Sequence, residues 1–349
     1  MELGSNFELD ISNLKRVDDS IFEYLKNYYS IYLDSGRSAI KLLKSKLGCG
    51  TILLPSYICE SVIDVFRQDF QIEFYQVTKE LEIDLVDFEK KIDRSTAAVY
   101  LMHYFGQIQN QEVLSFLTDK RDRYGFLIIE DTTHSIFTSA ATIGDYCICS
   151  LRKWFPIPDG GVVYSKFCLD AQKLERKIVP SNLEAMILKY LFIYKNVPCN
   201  HIYRQVFQAE ERKLDYQDEI YELSEISSIL LSCYSIQELK TKRKKNAEYL
   251  FSRINRKQVQ PVLREEDDTP LTFPVYVKNR DSLKRFLSEN RIYCAVHWPI
   301  EDMRLKQNDL TVEISKHILS LPIDQRYGGA ELDYLLSSIS KYYEKNGMD

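Results

Sequence analysis

The stretch Phe126-Leu-Ile-Ile-Glu-Asp131 has the pattern of a buried β-strand that ends in two acidic residues. Five further β-branched or apolar runs lie around it between residues 35 and 165, and amphipathic helical patterns separate them. This alternation predicts a parallel or mixed sheet flanked by helices. The other predicted strands cover residues 51–54, 72–77, 97–102, 146–151 and 161–165.

The pattern changes after residue 166, where it becomes mostly helical and ends in a long charged helix at about residues 235–255. A strand, a helix, a second strand and two further helices follow, which is the order of a small α+β unit. We therefore predict a large α/β domain over residues 1–240 and a smaller C-terminal α+β domain over residues 241–349. The acidic stretch at residues 264–269 is predicted to be a loop.

Composition excludes several classes of protein. The 349 residues are 45% hydrophobic and 28% charged, as in an ordinary globular protein, and the net charge of -5 disfavours nucleic-acid binding. The eight cysteines contain no CxxC pair and no signal peptide precedes them, so we expect reduced thiols in the cytoplasm and no metal site. The most apolar helical stretch, residues 186–197, is shorter than the roughly 20 residues that span a bilayer, and we predict no membrane segment.

Polar residues follow the predicted strands at four places, residues 55–59, 103–106, 130–134 and 150–153. Open α/β sheets bind ligands beyond the carboxyl ends of their strands, so these places are candidates for a site. A fifth candidate is Ser35-Gly36-Arg37-Ser38, where small residues begin a predicted helix. Their backbone N–H groups can bind a phosphate, although Ser35 can equally be a plain helix cap.

Asp131 and Lys153 carry the chemistry suggested by two of these strand ends. A carboxylate in a dry site can hold a protonated ring nitrogen, although many such acids only cap a turn. A lysine among apolar groups has a lowered pKa that makes its amine available for Schiff-base formation, although Lys153 can also be a surface residue beside Arg152. Together with the phosphate site, these are the groups that pyridoxal phosphate requires.

The motifs resemble those of the DegT/DnrJ/EryC1/StrS family, pyridoxal-phosphate-dependent sugar-nucleotide aminotransferases with the aspartate-aminotransferase fold (fold type I). The resemblance begins at about Ser35 and continues to the C-terminus, with Lys153 followed by Gly160-Gly161 at the spacing that the family uses. The other matching segments are residues 35–40, 54–59, 103–106, 129–134, 223–226, 296–299 and 319–322, together with Arg243 and Asn246-Ala247 in the long helix.

The resemblance implies roles for individual residues. Lys153 would link covalently to the cofactor and move the proton, and Asp131 would hold the pyridinium nitrogen. Gly36, Arg37 and Ser38 would bind the phosphate. The further cofactor-binding positions are Cys59, His134 and Ser150, and the substrate positions are His103 and His297.

Three positions depart from the family pattern. Ile148 replaces the usual serine five residues before the lysine, and Ser150 is the nearest hydroxyl. Cys59 stands where the family has a ring-stacking aromatic residue, with Tyr57 or a residue near His103 as possible substitutes. Ile220 stands where the family has an asparagine that reaches the partner subunit's cofactor.

The function implied is transfer of an amino group, with glutamate as donor, to a keto-sugar nucleotide in polysaccharide or secondary-metabolite sugar biosynthesis. The resemblance also implies a homodimer with active sites at the interface. Two alternatives stay open: a pyridoxal-phosphate enzyme that acts on another small amino or carbonyl compound, and an inactive relative that binds a ligand without turnover.

Overall fold

A computed structural model describes residues 2–169, 173–262 and 269–347 of the chain. Residues 264–268 of the predicted acidic loop lie outside the described residues. The strands are β1 (Leu3–Gly4), β2 (Tyr29–Leu33), β3 (Thr51–Pro55), β4 (Gln71–Tyr75), β5 (Thr96–Met102), β6 (Leu127–Asp131), β7 (Tyr146–Cys149), β8 (Gly161–Ser165), β9 (Glu175–Arg176), β10 (Tyr221–Glu222), β11 (Gln260–Pro261), β12 (Phe273–Tyr276), β13 (Ile292–Tyr293) and β14 (Ile318–Leu321).

Helices cover both faces of the sheets, and two short 3-10 turns, Leu151–Lys153 and Leu305–Gln307, add to them. The helices are α1 (Ile21–Tyr24), α2 (Gly36–Lys44), α3 (Glu60–Phe66), α4 (Leu85–Lys91), α5 (Gln111–Tyr124), α6 (Leu183–Lys195), α7 (Asn200–Tyr216), α8 (Glu225–Leu231), α9 (Ile236–Arg253), α10 (Arg280–Glu289), α11 (Asp309–His317) and α12 (Gly329–Lys345). Within the described ranges, no helix combines the length and apolar character needed to cross a membrane.

The large sheet has nine strands in the order β4-β3-β5-β6-β7-β8-β2-β10-β9. Strands β3 to β7 run parallel to one another, whereas β8 is antiparallel to both of its neighbours. The predicted α/β fold with a mixed, mostly parallel sheet is confirmed. All six predicted strands are present, but the strand predicted over residues 146–151 ends at Cys149 because the chain turns into a 3-10 helix.

At β7 and β8, two hydrophobic clusters lie on opposite faces of this sheet. Along β7, Ile148 packs into one cluster, while Cys147 and Cys149 pack into the other. The period of two along a strand causes this division, because successive side chains point to opposite faces. The same alternation directs Glu130 and Asp131, at the end of β6, to opposite faces of the sheet.

The C-terminal part contains a three-stranded antiparallel sheet in the order β11-β12-β14. Strand β1, at the start of the chain, pairs in parallel with β13, so residues 3–4 join the C-terminal part although the prediction assigned them to the large domain. The predicted long charged helix is α9, which packs against α12. The division of the chain at residue 240 stays a prediction.

Candidate active site

A cleft of about 790 Å³ opens beside the 3-10 turn Leu151–Lys153. Its walls come from residues 4–7, from α6 and α7, and from the C-terminal part of the chain. Among the predicted site residues, Ser150, Lys153 and His297 line this cleft. The others lie outside its lining: Gly36, Arg37, Ser38, Cys59, His103, Asp131 and His134.

The start of α2 packs directly against the end of β7. A Cβ atom on Gly36 would lie 3.0 Å from the Ser150 Cβ, and one on Gly161 would lie 2.2 Å from the Ser35 carbonyl oxygen. Ser35 caps the helix by accepting a hydrogen bond from the Ser38 N–H at 3.0 Å. Within the described ranges, the N–H groups of Gly36 and Arg37 and the hydroxyl of Ser150 make no hydrogen bond. These groups can therefore bind an anion.

Two predicted phosphate ligands use their side chains elsewhere. The Ser38 hydroxyl donates to Asp34 Oδ1 at 2.6 Å and is buried. The Arg37 guanidinium pairs with Asp215 Oδ1 at 2.7 Å on α7. At this position, the backbone N–H groups are available to an anion, whereas these two side chains already have partners within the protein.

Asp131 ends β6 with a buried carboxylate. Its Oδ2 accepts a hydrogen bond from the Tyr100 hydroxyl at 2.7 Å, and its Oδ1 accepts one from the Thr133 N–H at 2.8 Å. Burial, followed by the charge of Asp131, raises the pKa of Tyr100 well above its usual value. Tyr100 is therefore a hydrogen-bond donor at all physiological pH values, and it holds the carboxylate in place.

Lys153 ends the 3-10 turn and is half-buried. Its amine makes no hydrogen bond or ion pair within the described ranges. Asp131 and Lys153 both affect the pKa of Cys149. Burial and the charge of Asp131 raise this pKa, and the charge of Lys153 lowers it. Asp131 ends β6, and Lys153 follows the end of the neighbouring parallel strand β7, so the acid and the amine lie at one end of the sheet.

His134 is fully buried among aromatic rings. Its Nδ1 accepts a hydrogen bond from the Phe105 N–H at 3.3 Å, while its buried Nε2 has no partner in the part of the chain that the structure describes. The Trp298 indole stacks on the imidazole at 5.4 Å between centroids. Burial, with Lys153 and His297 adding to it, lowers the pKa of His134 well below its usual value, so the ring is neutral.

His297 joins the cleft to this aromatic cluster. Its Nδ1 lies 2.8 Å from the Ser320 hydroxyl, and its ring is 5.4 Å from that of His134. Burial lowers the pKa of His297 to about 3, with Lys153 contributing. A neutral imidazole at this wall can accept a hydrogen bond from a ligand.

His103 lies on the opposite face of the sheet, away from the cleft. Its Nε2 is 3.0 Å from Glu130 Oε1, and its Nδ1 accepts a hydrogen bond from the Gln109 N–H at 3.2 Å. The second contact puts the proton on Nε2, so the ring donates to the Glu130 carboxylate. Both ring nitrogens have protein partners, and the geometry gives His103 a structural role.

Cys59 is the residue before α3 and its thiol lies 3.1 Å from the Ser61 hydroxyl. Tyr57, considered above as a substitute for the stacking aromatic, packs its ring against Tyr104 and Trp298. The Trp298 ring, in the segment that also carries His297, stacks on the His134 imidazole.

Sequence reasoning did not assign roles to Tyr100 and Trp298, or to Arg243, which lines the cleft. The signal for Tyr100 was available, because it lies two residues before the end of β5, beside the strand that carries Asp131. The contacts of Trp298 and Arg243 join distant parts of the chain and have no local signature.

Known proteins resemble this chain in sequence and in structure. The dTDP-3-amino-3,6-dideoxy-alpha-D-galactopyranose transaminase of Aneurinibacillus thermoaerophilus is 22% identical over 278 residues, which cover 74% of this chain and 69% of that protein. The structure of Helicobacter pylori PseC, an aminotransferase involved in the biosynthesis of pseudoaminic acid, is similar at a TM-score of 0.69 and 15% identity, over 99% of this chain and 100% of PseC.

A third similar structure is NtdA from Bacillus subtilis with bound cofactor PMP, at a TM-score of 0.66 and 15% identity, over 93% of this chain and 75% of NtdA. These two structural similarities show the fold. The sequence of residues 4–155 matches the DegT/DnrJ/EryC1/StrS aminotransferase family. The resemblance found in the sequence is thereby confirmed over residues 4–155.

Proposed function

We propose that this chain is a pyridoxal-phosphate-dependent aminotransferase that transfers an amino group from glutamate to a keto-sugar nucleotide. The observation that carries the proposal is the convergence of three kinds of group at one end of the large sheet. They are the free N–H groups at the start of α2, the Asp131 carboxylate and the Lys153 amine.

The groups present fit pyridoxal phosphate. The backbone of Gly36 and Arg37, with the Ser150 hydroxyl, would bind the phosphate. A side chain at position 36 would crowd Ser150, because its Cβ would lie 3.0 Å from the Ser150 Cβ. Asp131 would face the ring nitrogen, and the unpartnered Nε2 of His134 would bind the ring oxygen. When bound, the cofactor supplies an electron sink that makes the carbon bearing the amine acidic.

The chain's own residues then manage protons and charge. Lys153 would take a proton at Nζ from the substrate carbon and return it later, acting as general base and then general acid. Asp131, held by Tyr100 and by the Thr133 N–H, would keep a positive charge on the ring nitrogen. The neutral His297 would orient the substrate without competing for that proton.

The substrate proposal rests on the cleft and on the relatives. A volume of about 790 Å³ is ample for a sugar nucleotide. The relative from Aneurinibacillus thermoaerophilus is named as a dTDP-amino-sugar transaminase, and we extend that substrate class to this chain. The cytoplasm is the proposed location, since all eight cysteines are free thiols.

The test is a visible absorption spectrum of the purified protein with added pyridoxal phosphate, followed by borohydride reduction and peptide mapping. We expect a visible band and a cofactor fixed to Lys153. Fixation on another lysine, or no visible band, would contradict the proposal and favour a ligand-binding relative without turnover. Amine transfer from glutamate to a set of keto-sugar nucleotides then identifies the substrate.

A homodimer is also part of the proposal. Of the 14 large hydrophobic side chains that are exposed within the described ranges, eight lie between residues 167 and 216, a segment that includes α6 and α7. Apolar side chains concentrated in one exposed segment are typical of an interface. The eight are Phe167, Ile178, Val179, Ile187, Tyr194, Val197, Ile202 and Tyr216.

Sedimentation velocity tests this part of the proposal. We expect a dimer for the wild-type protein and a shift towards monomer for Val179→Glu, because a carboxylate in an apolar interface is strongly unfavourable. Val86→Glu is the matched control, since Val86 is similarly exposed but lies on α4, outside the segment. A wild-type monomer with full activity would contradict the dimer.

A further inference from the structure

Trp154 directly follows Lys153 in the chain and is fully buried. Its backbone N–H donates to the Leu151 carbonyl oxygen at 3.0 Å and closes the 3-10 turn that carries the lysine. Its indole Nε1 donates to the Thr133 carbonyl oxygen at 2.8 Å. The indole therefore connects the turn of Lys153 with the segment that follows Asp131.

Thr133 receives hydrogen bonds from both sides of Lys153. Before the lysine, the Ser150 N–H donates to Thr133 Oγ1 at 3.1 Å. After the lysine, the Trp154 indole donates to the Thr133 carbonyl oxygen. Thr133 in turn donates its own N–H to Asp131 Oδ1 at 2.8 Å. One residue thus contacts the acid and both ends of the turn that carries the amine.

The C-terminal part of the chain holds Trp154 on its other side. Gln325 Nε2 donates to the Trp154 carbonyl oxygen at 2.7 Å, and the Arg243 guanidinium carbon lies 4.6 Å from the centroid of the indole ring. The Phe137 ring meets the indole edge-on, with 4.9 Å between centroids. Packing and hydrogen bonds from separate segments fix the orientation of the indole, so its N–H has a defined direction.

The place of the Lys153 amine depends on this backbone. A lysine side chain is long and flexible, and the Lys153 amine makes no hydrogen bond or ion pair in the described part of the chain. The 3-10 turn therefore decides where the amine can reach. A displacement of about 1 Å at a reacting group can cost roughly 100-fold in rate.

We infer that Trp154 and Thr133 are positioning residues, an inference that rests on the proposed function. The indole N–H and Thr133 hold the turn of Lys153 against Asp131, so that the amine and the acid act on one cofactor ring at the same time. Loss of the indole N–H lets the turn move, although every group proposed to touch the cofactor is still present.

The experiment measures how fast Lys153 links to pyridoxal phosphate in the cofactor-free, full-length protein, as growth of the visible band after rapid mixing. In this reaction the amine forms a C=N bond with the aldehyde carbon, and the aldehyde oxygen leaves as water. We expect Trp154→Phe, which keeps an aromatic ring and removes the N–H, to slow the linking step roughly tenfold. Pyridoxamine phosphate has no aldehyde, and its affinity in calorimetric titration should change less than about threefold, because the phosphate-binding groups are unchanged.

Tyr24→Phe is the matched control. It also removes one aromatic donor from the segment after β6, since the Tyr24 hydroxyl donates to the Ile136 carbonyl oxygen at 2.9 Å. Both variants should lower the urea midpoint, but only Trp154→Phe should slow the linking step. A linking rate equal to that of the wild type in Trp154→Phe, or equal slowing in both variants, would overturn the inference.

Thr133→Val tests the same contact from the other side and does not depend on whether Trp154→Phe folds. Valine keeps the branched shape and the carbonyl oxygen, but it removes the Oγ1 atom that accepts from Ser150. We expect the linking step to slow roughly threefold to tenfold. An unchanged rate in this variant would likewise overturn the inference.

Amine transfer from L-glutamate, measured on the same preparations, separates this inference from the proposed function. We expect Trp154→Phe to lower kcat roughly tenfold and to leave KM for glutamate within about twofold. Transfer with a linking rate that is independent of Trp154 would overturn the inference alone. Linkage that depends on Trp154, without transfer by the wild type, would overturn the proposed function and leave the positioning role in place. No visible band in the wild type would overturn both.

Discussion

Glu130 and Asp131 are neighbours at the end of β6, but they serve opposite faces of the sheet. Glu130 has all its partners within the protein: it accepts from His103 at 3.0 Å and from the N–H groups of Ile143 and Gly144, each at 2.7 Å. Asp131 faces the side on which, among the described residues, neither the buried His134 Nε2 nor the Lys153 amine has a partner.

This difference distinguishes the acid with a structural role from the candidate catalytic acid. Buried polar groups in proteins are almost always hydrogen-bonded, so a satisfied network indicates a structural role and unsatisfied groups indicate a site. Both oxygens of the Glu130 carboxylate are bonded within the protein, and they hold the segment just before β7. On the Asp131 face, the His134 Nε2 and the Lys153 amine are available to a ligand.

The largest effect is expected from Lys153→Ala. We expect amine transfer to fall roughly 10⁴-fold or more, because one group both links the cofactor and moves the proton. Turnover is measured with glutamate and a keto-sugar nucleotide. Lys166→Ala, which removes an exposed lysine just after β8, is the control and should be fully active. Normal turnover by Lys153→Ala would refute the assignment of the amine.

Exchanging the carboxylate for an amide at Asp131 and at Glu130 tests the roles of the two faces separately. Asp131→Asn should lower turnover roughly 100-fold or more and leave stability nearly unchanged, because the ring nitrogen loses its counter-charge. Glu130→Gln should leave turnover nearly unchanged and lower stability. Its amide N–H₂ would face the His103 N–H, and this contact between two donors would lower the unfolding free energy by about 1 to 3 kcal/mol. Urea unfolding measures the stability of both variants, and steady-state kinetics measures their turnover. Equal effects on activity would mean that the two faces are not functionally distinct.

Much of the large domain could be predicted, because buried parallel strands are short apolar runs that are easily recognised. Strands such as β2 and β10 were missed because β2 is partly exposed and β10 has only two residues. β14 was missed although its residues had been singled out as a motif, and its pairing with β12 depends on contacts between distant segments. The pairing of β1 with β13 was missed for the same reason.

The site was predictable where one residue type carries the chemistry, as for Asp131 and Lys153. It was not predictable where the outcome depends on which partner a side chain finds. His103 and His134 are both buried histidines after strands, yet one is fully bonded and the other is not. Arg37 and Ser38 match the phosphate motif, but Asp215 and Asp34 occupy their side chains.

That last contrast predicts a difference between two serines beside the start of α2. Ser150→Ala should weaken pyridoxal phosphate binding about tenfold, because a free hydroxyl that would donate to the phosphate is removed. Ser38→Ala should weaken it less than threefold, since the Ser38 hydroxyl already donates to Asp34. Fluorescence titration of the cofactor-free variants measures both affinities. The opposite order would mean that Ser38 leaves Asp34 when the phosphate binds.

The smallest expected effect is the contribution of His297 to the pH dependence of stability. Burial lowers the pKa of His297 to about 3, whereas a histidine in the unfolded chain titrates near 6.5. Between these values the unfolded state binds more protons, so the free energy of unfolding falls as the pH falls, by about 1.4 kcal/mol per pH unit. This contribution is complete above pH 6.5 and is lost progressively as the pH falls towards 3.

His297→Asn removes the titrating group and should reduce that dependence. In urea unfolding of the cofactor-free protein at pH 7.5 and pH 5.5, the variant should lose about 1.3 kcal/mol less stability than the wild type over this interval. The difference between the two pH values is compared, not stability at either one, so the packing change in the variant cancels. Equal losses in the two proteins would mean that His297 is not held neutral in the folded state, and the role of a neutral imidazole at the cleft wall would then be refuted.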